Sequence, residues 1–140
     1  MKFYQCLNCG AESKASHQKV NKYCSLQCQQ DFQYKNYINE WKQHLQPGVV
    51  GKTLQVSSYV RRYLHEKFEN RCSTCGITEY NNKPLTMQIE HIDGDSSNNR
   101  PENLTLLCPN CHSQTDTFTG KNRGKGRHER RVRYAQGKSY

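Results

Sequence analysis

The chain has 140 residues, of which 33% are hydrophobic, and it carries a formal net charge of +9 and eight cysteines. This length suffices for one domain or two small modules, and the low apolar content excludes a fold held by core burial alone, so disulfides or metal should add stability. No apolar run approaches the roughly 18 residues of a membrane span, and no apolar signal segment opens the chain. We therefore expect a cytoplasmic protein without a membrane partner, whose reduced cysteines bind metal.

Four cysteines near the start of the chain are spaced as two pairs, Cys6 with Cys9 and Cys24 with Cys28. Four thiolates at these short spacings can form a tetrahedral zinc site. The segment between the pairs, residues 10–23, is expected to form a small loop or hairpin tied at both ends. Together with the helix that follows, the sequence predicts a zinc-binding module over residues 1–46.

Apolar residues then recur at the three- and four-residue steps of a helix. They are Tyr34, Tyr37, Ile38, Trp41 and Leu45. Ser25 is the expected N-cap, and Pro47-Gly48 is expected to end the helix. We expect the aromatic residues to pack against the zinc module or a second module, and not to stack on bases.

Residues 47–56 are predicted to form a linker, and Ser57 or Ser58 to cap a second helix. Arg61 and Arg62 would point outward from that helix. Contact with phosphate and simple solvation explain these two arginines equally well, and the sequence leaves both interpretations open.

A second set of cysteines, Cys72, Cys75, Cys108 and Cys111, has the spacing of another structural zinc site. The segment between the two pairs, residues 76–107, is longer than a simple zinc ribbon requires. An insert with its own function is therefore expected between them.

The insert and the residues after it predict a short α+β unit. A turn is expected at 81–84, and alternating apolar residues over 85–89 predict a strand. A polar loop follows, then a second short strand at 104–107 and a helix over 110–118. The order is strand, loop, strand and helix, with a zinc site at the base.

Five polar side chains are predicted to meet in one groove of this unit. They are Glu90, His91, Asn103, His112 and Asp116. Asp116 would share a helix face with His112, four residues earlier. An acid and a histidine on separate elements suit a divalent ion, and a second histidine that binds no metal can act as a general base. Neighbouring strand residues point to opposite faces, so Glu90 and His91 can share a site only if the strand ends there, as the turn signal Asp93-Gly94 predicts.

The pattern Glu90-His91, Asn103-Leu104 and Cys108-Pro-Asn-Cys111-His112 resembles the motif of the HNH endonucleases, also called the ββα-metal or His-Me finger family. The resemblance covers residues 72–118, and the whole chain is similar to small HNH proteins of bacteriophages and prophages. It implies a metal-dependent nuclease that hydrolyses DNA in the bacterial cytoplasm and takes no small-molecule substrate. RNA stays an open alternative substrate, and the oligomeric state is left open.

The resemblance also implies a role for each residue. His91 would be the base that activates water, Glu90 and His112 would bind a catalytic Mg²⁺ or Mn²⁺, and Asn103 would hold the loop that orients His91. Asp116 matches a position that supplies a third metal ligand in some members. Two departures from the family pattern concern these ligands: position 90 is often Asp or His, and position 116 is His where that third ligand is clearest. The nuclease domain, with its lead-in helix, is expected over residues 57–120.

Residues 121–140 are predicted to form a basic tail with eight basic residues and one acid. Together with Arg61 and Arg62, the expected nucleic-acid contacts are Lys121, Arg123, Lys125, Arg127, Arg130, Arg131 and Arg133. The segment 71–120 is net acidic, with six acids against three bases, so positive charge elsewhere must attract a polyanion.

Two rival metal interpretations fit poorly, and one rival function is kept. Haem attachment at Cys108-x-x-Cys111-His112 would leave the Cys72–Cys75 pair without partners. A calcium loop starting at Asp93 lacks both the glycine and the glutamate that such loops require. The alternative function is a non-catalytic zinc-finger protein that binds nucleic acid.

Overall fold

The computed structural model describes residues 1–16 and 21–118, together with Val132 and residues 135–137. In chain order the elements are β1 (Phe3–Gln5), β2 (Glu12–Lys14), α1 (Leu26–Lys42), α2 (Ser58–Lys67), β3 (Glu79–Tyr80), β4 (Lys83–Pro84), β5 (Gln88–His91), β6 (Leu104–Leu107) and α3 (Pro109–Ser113). The strands pair as three antiparallel hairpins, β1 with β2, β3 with β4 and β5 with β6. None of the described helices has both the length and the apolar character needed to cross a membrane.

Two small apolar clusters hold these elements together. The first lies where α1, α2 and β6 meet, and its buried members are Tyr34, Ile38, Trp41, Val60, Leu64 and Leu104. The second lies beneath the β5–β6 hairpin, and its buried members are Cys72, Met87, Leu106, Leu107 and Cys108. Ile89 and Phe68 pack against both clusters, so the N-terminal helices and the hairpin are joined through shared apolar contacts.

Helix α1 begins where the sequence predicted and ends earlier. Ser25 Oγ accepts a hydrogen bond from the Cys28 N–H at 3.1 Å, which confirms the predicted N-cap. The helix ends at Lys42, and Leu45 lies beyond it with 69% of its surface exposed. The prediction of a helical face up to Leu45, ended by Pro47-Gly48, is therefore wrong.

The early stop comes from a C-terminal cap that uses a histidine. His44 has a left-handed φ of 62°. Its N–H donates to Trp41 O, and the Leu45 N–H donates to Glu40 O at 2.9 Å, which is the hydrogen-bond pattern of a Schellman motif. Glycine is the usual residue at that left-handed position. A prediction that relies on glycine therefore ends the helix at Gly48 and misses the cap formed by His44.

Helix α2 is capped by Ser57, whose Oγ accepts from the Tyr59 N–H at 3.2 Å. Val60 and Leu64, four residues apart, are fully buried. The predicted linker before α2 contains a single β-bridge between Val49 and Val56, and the Ser57 N–H donates to Gly48 O. The linker is thus a closed turn that returns the chain to the end of α1.

The other two corrections concern a strand and a helix. The strand predicted from residue 85 begins only at Gln88, because the Leu85 N–H bonds to Thr78 O and extends the β3–β4 hairpin instead. The helix predicted over 110–118 ends at Ser113. Thr115 Oγ1 donates back to His112 O at 2.9 Å, a side-chain bond to the backbone of the kind that competes with helix continuation.

Gly48 lies where the linker touches both α1 and the loop between β5 and β6. Its φ is +77°, and a Cβ there would come within 2.7 Å of Trp41 Nε1 and 3.1 Å of Asn99 O. Gly51 also has a positive φ, +56°, but nothing lies within 4 Å of its Cβ position. A substitution at Gly51 would therefore cause backbone strain alone, whereas one at Gly48 would cause backbone strain and steric overlap.

We expect Gly48→Ala to lower the free energy of unfolding by about 1–3 kcal/mol more than Gly51→Ala. Both variants place a side chain at positive φ, but only the first also overpacks the contact between Trp41 and the loop. Chemical denaturation of the two variants measures the difference. Equal losses would mean that Trp41 and the loop move apart without cost.

Candidate functional site

The first cysteine group is shaped to hold a metal ion. The four sulfur atoms of Cys6, Cys9, Cys24 and Cys28 all lie within 4.8 Å of one another. The Cys9–Cys24 and Cys24–Cys28 sulfur distances are 3.6 Å and 3.4 Å. A disulfide would require about 2.05 Å, whereas tetrahedral Zn–S bonds of about 2.3 Å place sulfur atoms about 3.8 Å apart. The arrangement fits a four-cysteine zinc site.

The second group, Cys72, Cys75, Cys108 and Cys111, has the same form. The Cys75 and Cys108 sulfur atoms are 3.8 Å apart. Burial raises the pKa of the Cys72 thiol, but hydrogen bonds from the backbone of Cys75, Cys108 and Thr74 outweigh it and lower that pKa to about 6. These donors stabilise the thiolate, which is the form that binds zinc.

Both groups are built on the same backbone turn. In each, a glycine with positive φ follows the second cysteine, Gly10 after Cys9 and Gly76 after Cys75. Each glycine N–H donates to the carbonyl of the first cysteine of its pair at 2.9 Å. The repeated Cys-x-x-Cys-Gly signal is visible in the sequence and supports the same function for both turns.

Glu90 on β5 is buried and contacts His112 on α3, whose side chain is 28% exposed. Glu90 is 7% exposed, and its Oε2 lies 2.6 Å from His112 Nδ1. Within the described part of the chain, that buried ring nitrogen has no hydrogen-bond partner of acceptable geometry. Thr117 Oγ1 donates to the other carboxylate oxygen, Oε1, at 2.6 Å, and the Phe118 ring meets the edge of the imidazole. The site therefore places a carboxylate oxygen beside a ring nitrogen, and the ring nitrogen makes no hydrogen bond within the described residues.

Asp116 does not join this pair. It lies beyond the end of α3 and is exposed, so the helical spacing that was to place it beside His112 is not formed. In the described residues, no group of three or more close potential ligands includes it. The residue that does reach Glu90 from this segment is Thr117, which the sequence analysis did not identify.

His91 is the last residue of β5, and its carbonyl accepts the Gly94 N–H at 2.8 Å in the turn that follows. Strand β5 thus ends at His91, as the turn signal Asp93-Gly94 predicted.

His91 Nε2 lies 2.8 Å from Asn99 Oδ1. Asn99 is 5% exposed and was missed, because an asparagine in a polar loop carries no signal of a contact with a histidine eight residues earlier.

Asn103 organises the loop between β5 and β6. Its Oδ1 accepts the Asp93 N–H at 3.0 Å, and its Nδ2 donates to Asp93 Oδ1 at 2.9 Å and Asn98 O at 2.8 Å. Burial raises the pKa of Asp93, but hydrogen bonds from Asn98, the Asp95 backbone and Asn103 bring it below its usual value. The carboxylate therefore stays ionised near neutral pH and accepts the bonds that close the loop.

The two arginines of α2 have different surroundings. Arg62 Nε donates to Glu66 Oε1 at 2.8 Å, Nη1 lies 3.8 Å from Asp31, and the guanidinium lies over the Tyr34 ring. Arg61 is exposed. Arg62 is thus held by the protein's own carboxylates, which leaves Arg61 better placed to meet a phosphate. The seven predicted tail contacts, from Lys121 to Arg133, lie outside the described residues.

The region that contains Glu90, His91 and His112 is similar to known proteins. The family model for HNH endonucleases matches residues 81–114. The chain is 35% identical over 92 residues to the H-N-H endonuclease F-TflIV of Escherichia phage T5, covering 65% of this chain and 40% of that protein. It is 25% identical over 124 residues to the Zorya protein ZorE of Escherichia coli, covering 82% of this chain and 33% of that protein. The chain therefore spans less than half the length of either relative. No solved structure matches it.

Proposed function

We propose that this chain, which carries an HNH endonuclease domain of the type found in phage endonucleases, is a metal-dependent hydrolase that cleaves phosphodiester bonds in DNA. The observation that carries the proposal is the contact between the buried Glu90 and the partly exposed His112. Both residues lie within the range that the family model matches, and Glu90 directly precedes His91, the histidine that ends β5. In this proposal β5, β6 and α3 are the ββα-metal unit.

The donor atoms of the pair suit a catalytic divalent ion. Glu90 Oε2 and His112 Nδ1 approach to 2.6 Å, and the ring nitrogen has no hydrogen bond within the described residues. A carboxylate with an imidazole is a donor set for Mn²⁺ and similar ions, and Mg²⁺ also binds through one or two carboxylates. When bound, the ion supplies charge neutralisation at the phosphate and help for the leaving oxygen. Thr117 keeps the carboxylate oriented by holding its other oxygen.

His91 is the proposed general base. Imidazole titrates near neutral pH and can take a proton from water that attacks phosphorus. Asn103 contributes by fixing the loop after His91 through its three side-chain hydrogen bonds. The two cysteine groups each hold a structural zinc, which leaves Glu90, His91 and His112 for the chemistry.

The proposal is tested by incubating supercoiled plasmid with the zinc-loaded protein and Mg²⁺, Mn²⁺ or Ni²⁺. We expect metal-dependent conversion to nicked or linear DNA and no conversion when a chelator is present. A single-stranded RNA of matched length tests the alternative substrate. Binding of plasmid without cleavage under every condition would instead support a zinc-finger protein that only binds nucleic acid.

The charge distribution supports a DNA partner. Residues 121–140 hold eight basic residues and one acid, which is +7 of the net charge of +9. The segment 71–120, which includes the proposed site, is net negative. The tail and Arg61 therefore supply attraction that the site itself lacks.

Truncation after Gly120 should weaken binding to all duplexes alike and flatten its salt dependence. Each phosphate neutralised contributes about 0.9 to the slope of log affinity against log salt, so the seven predicted tail contacts would account for about 6. Such contacts carry no sequence information directly. Binding of the full and truncated chains to two unrelated duplexes across a salt series measures this. Equal slopes would mean that the tail does not bind, and weakening for one duplex alone would mean that it reads bases.

A further inference from the structure

The hydrogen bond between His91 and Asn99 determines which ring nitrogen carries the proton. The Asn99 amide could in principle turn either end to the ring, but its Nδ2 faces the Ser96 and Ser97 carbonyls at 3.3 Å each. Its Oδ1 therefore faces His91 Nε2, at 2.8 Å. An amide oxygen only accepts hydrogen bonds, so Nε2 must donate. In the neutral ring the lone pair is then on Nδ1.

The backbone of Asn99 is itself held by the N-terminal part of the chain. Trp41 Nε1 donates to Asn99 O at 2.8 Å, and Trp41 is 1% exposed. Gly48 packs against both groups, too closely to admit a Cβ. Asn99 is therefore fixed from two sides: its amide by carbonyls of its own loop, and its backbone by a tryptophan of α1.

We infer that Asn99 is a positioning residue that keeps His91 as the Nε2–H tautomer, so that Nδ1 is the atom that accepts the proton of the attacking water. The inference rests on the proposed role of His91 as general base. In the step it describes, the water proton moves to Nδ1 and the water oxygen bonds to phosphorus. The bond from phosphorus to the leaving oxygen breaks with its electron pair on that oxygen, which takes a proton from solvent. Helix α1 thus supports the base as well as the fold.

The chain offers a matched control in the neighbouring asparagine. Asn98 Nδ2 donates to Asp93 Oδ2 at 2.7 Å, which is a bond to the same loop that does not touch His91. Asn98→Ala therefore loosens the loop without removing the acceptor of Nε2–H, whereas Asn99→Ala removes two bonds to loop carbonyls and that acceptor as well. A merely structural role for Asn99 would leave the His91 tautomer the same in both variants.

The test is the ¹⁵N spectrum of the full, zinc-loaded chain labelled at histidine, at a pH where His91 is neutral. His91 is assigned from the signal missing in His91→Ala. We expect wild type and Asn98→Ala to show a protonated Nε2 and a bare Nδ1, and Asn99→Ala to show a mixture of tautomers. In parallel, Asn99→Ala should lower kcat about 10- to 100-fold, the range common when an orienting partner is lost, with KM for DNA unchanged.

The outcomes separate this inference from the proposed function. A protonated Nδ1 in wild type would overturn the inference while leaving His91 free to act as base through Nε2. The same spectrum in Asn99→Ala as in wild type would overturn the role of Asn99 while leaving His91 free to act as base through Nδ1. Absence of metal-dependent cleavage by wild type would overturn the proposed function, whatever the tautomer. If Asn99→Ala loses its zinc or its fold, the wild-type spectrum alone decides.

Discussion

Replacing His91 with alanine should reduce DNA cleavage by about 10²- to 10⁴-fold, the usual contribution of a general base. DNA affinity and zinc content should stay at wild-type values, because His91 is not part of either cysteine group and the proposed phosphate contacts lie elsewhere. Single-turnover cleavage of a labelled duplex measures the chemical step apart from product release.

His65 provides the matched control for that experiment. It also hydrogen bonds to an asparagine, Asn70 Oδ1, at 2.7 Å, but it lies on α2 away from the proposed site. His65→Ala should therefore cleave at close to the wild-type rate. If His91→Ala does so as well, His91 is not the base, and the non-catalytic interpretation gains support.

Removing zinc should have the largest effect on the fold, and the two sites should differ. Binding at a structural zinc site contributes about 10–16 kcal/mol in small zinc domains, comparable with or larger than the whole stability of a typical protein. Cys72 and Cys108 belong to the apolar cluster beneath the β5–β6 hairpin, whereas neither cluster contains a cysteine of the first group. We expect Cys72→Ser to unfold the hairpin, and Cys9→Ser to loosen β1, β2 and the start of α1 while α2 and the hairpin stay folded.

Native mass spectrometry of the wild-type chain should show two zinc ions, and each cysteine variant should show one. Backbone NMR spectra then show which residues lose their native signals. Disulfides in place of metal would contradict the zinc assignment at both groups. Loss of the whole fold in Cys9→Ser would mean that the first zinc site supports the hairpin as well.

The parts of the fold that follow local rules were predictable from the sequence. The cysteine spacings identify both four-cysteine groups, and Ser25 and the Ser57–Ser58 pair signal helix starts. Asn81-Asn82 gives the two-residue turn, with φ values of 52° and 59°, that joins β3 to β4. Each of these depends on a few neighbouring residues. The meeting of Glu90 with His112 was expected from the resemblance, and the end of β5 at His91 from Asp93-Gly94.

The features that were missed depend on contacts between distant segments or on unusual caps. His44 ends α1 in a conformation that glycine usually adopts, so Leu45 was misplaced on the helix. Thr115 ends α3 early, which removes Asp116 from the site and brings Thr117 to Glu90. Asn99 touches His91 through a loop closure and Trp41 across 58 positions of the chain. No local pattern encodes such contacts.

The measurement that tests the central claim most directly is the Mn²⁺ dependence of plasmid cleavage by wild type, Glu90→Gln and Glu102→Gln. Glu90 is buried against His112, whereas Glu102 is exposed and 3.8 Å from His44, so the two variants remove the same charge from different places. We predict that wild type and Glu102→Gln cleave with the same saturating dependence on Mn²⁺, and that Glu90→Gln needs far more Mn²⁺ or does not cleave. Cleavage by wild type that is unaffected by metal and chelator, or identical curves for all three proteins, would contradict a metal-dependent nuclease centred on Glu90 and His112.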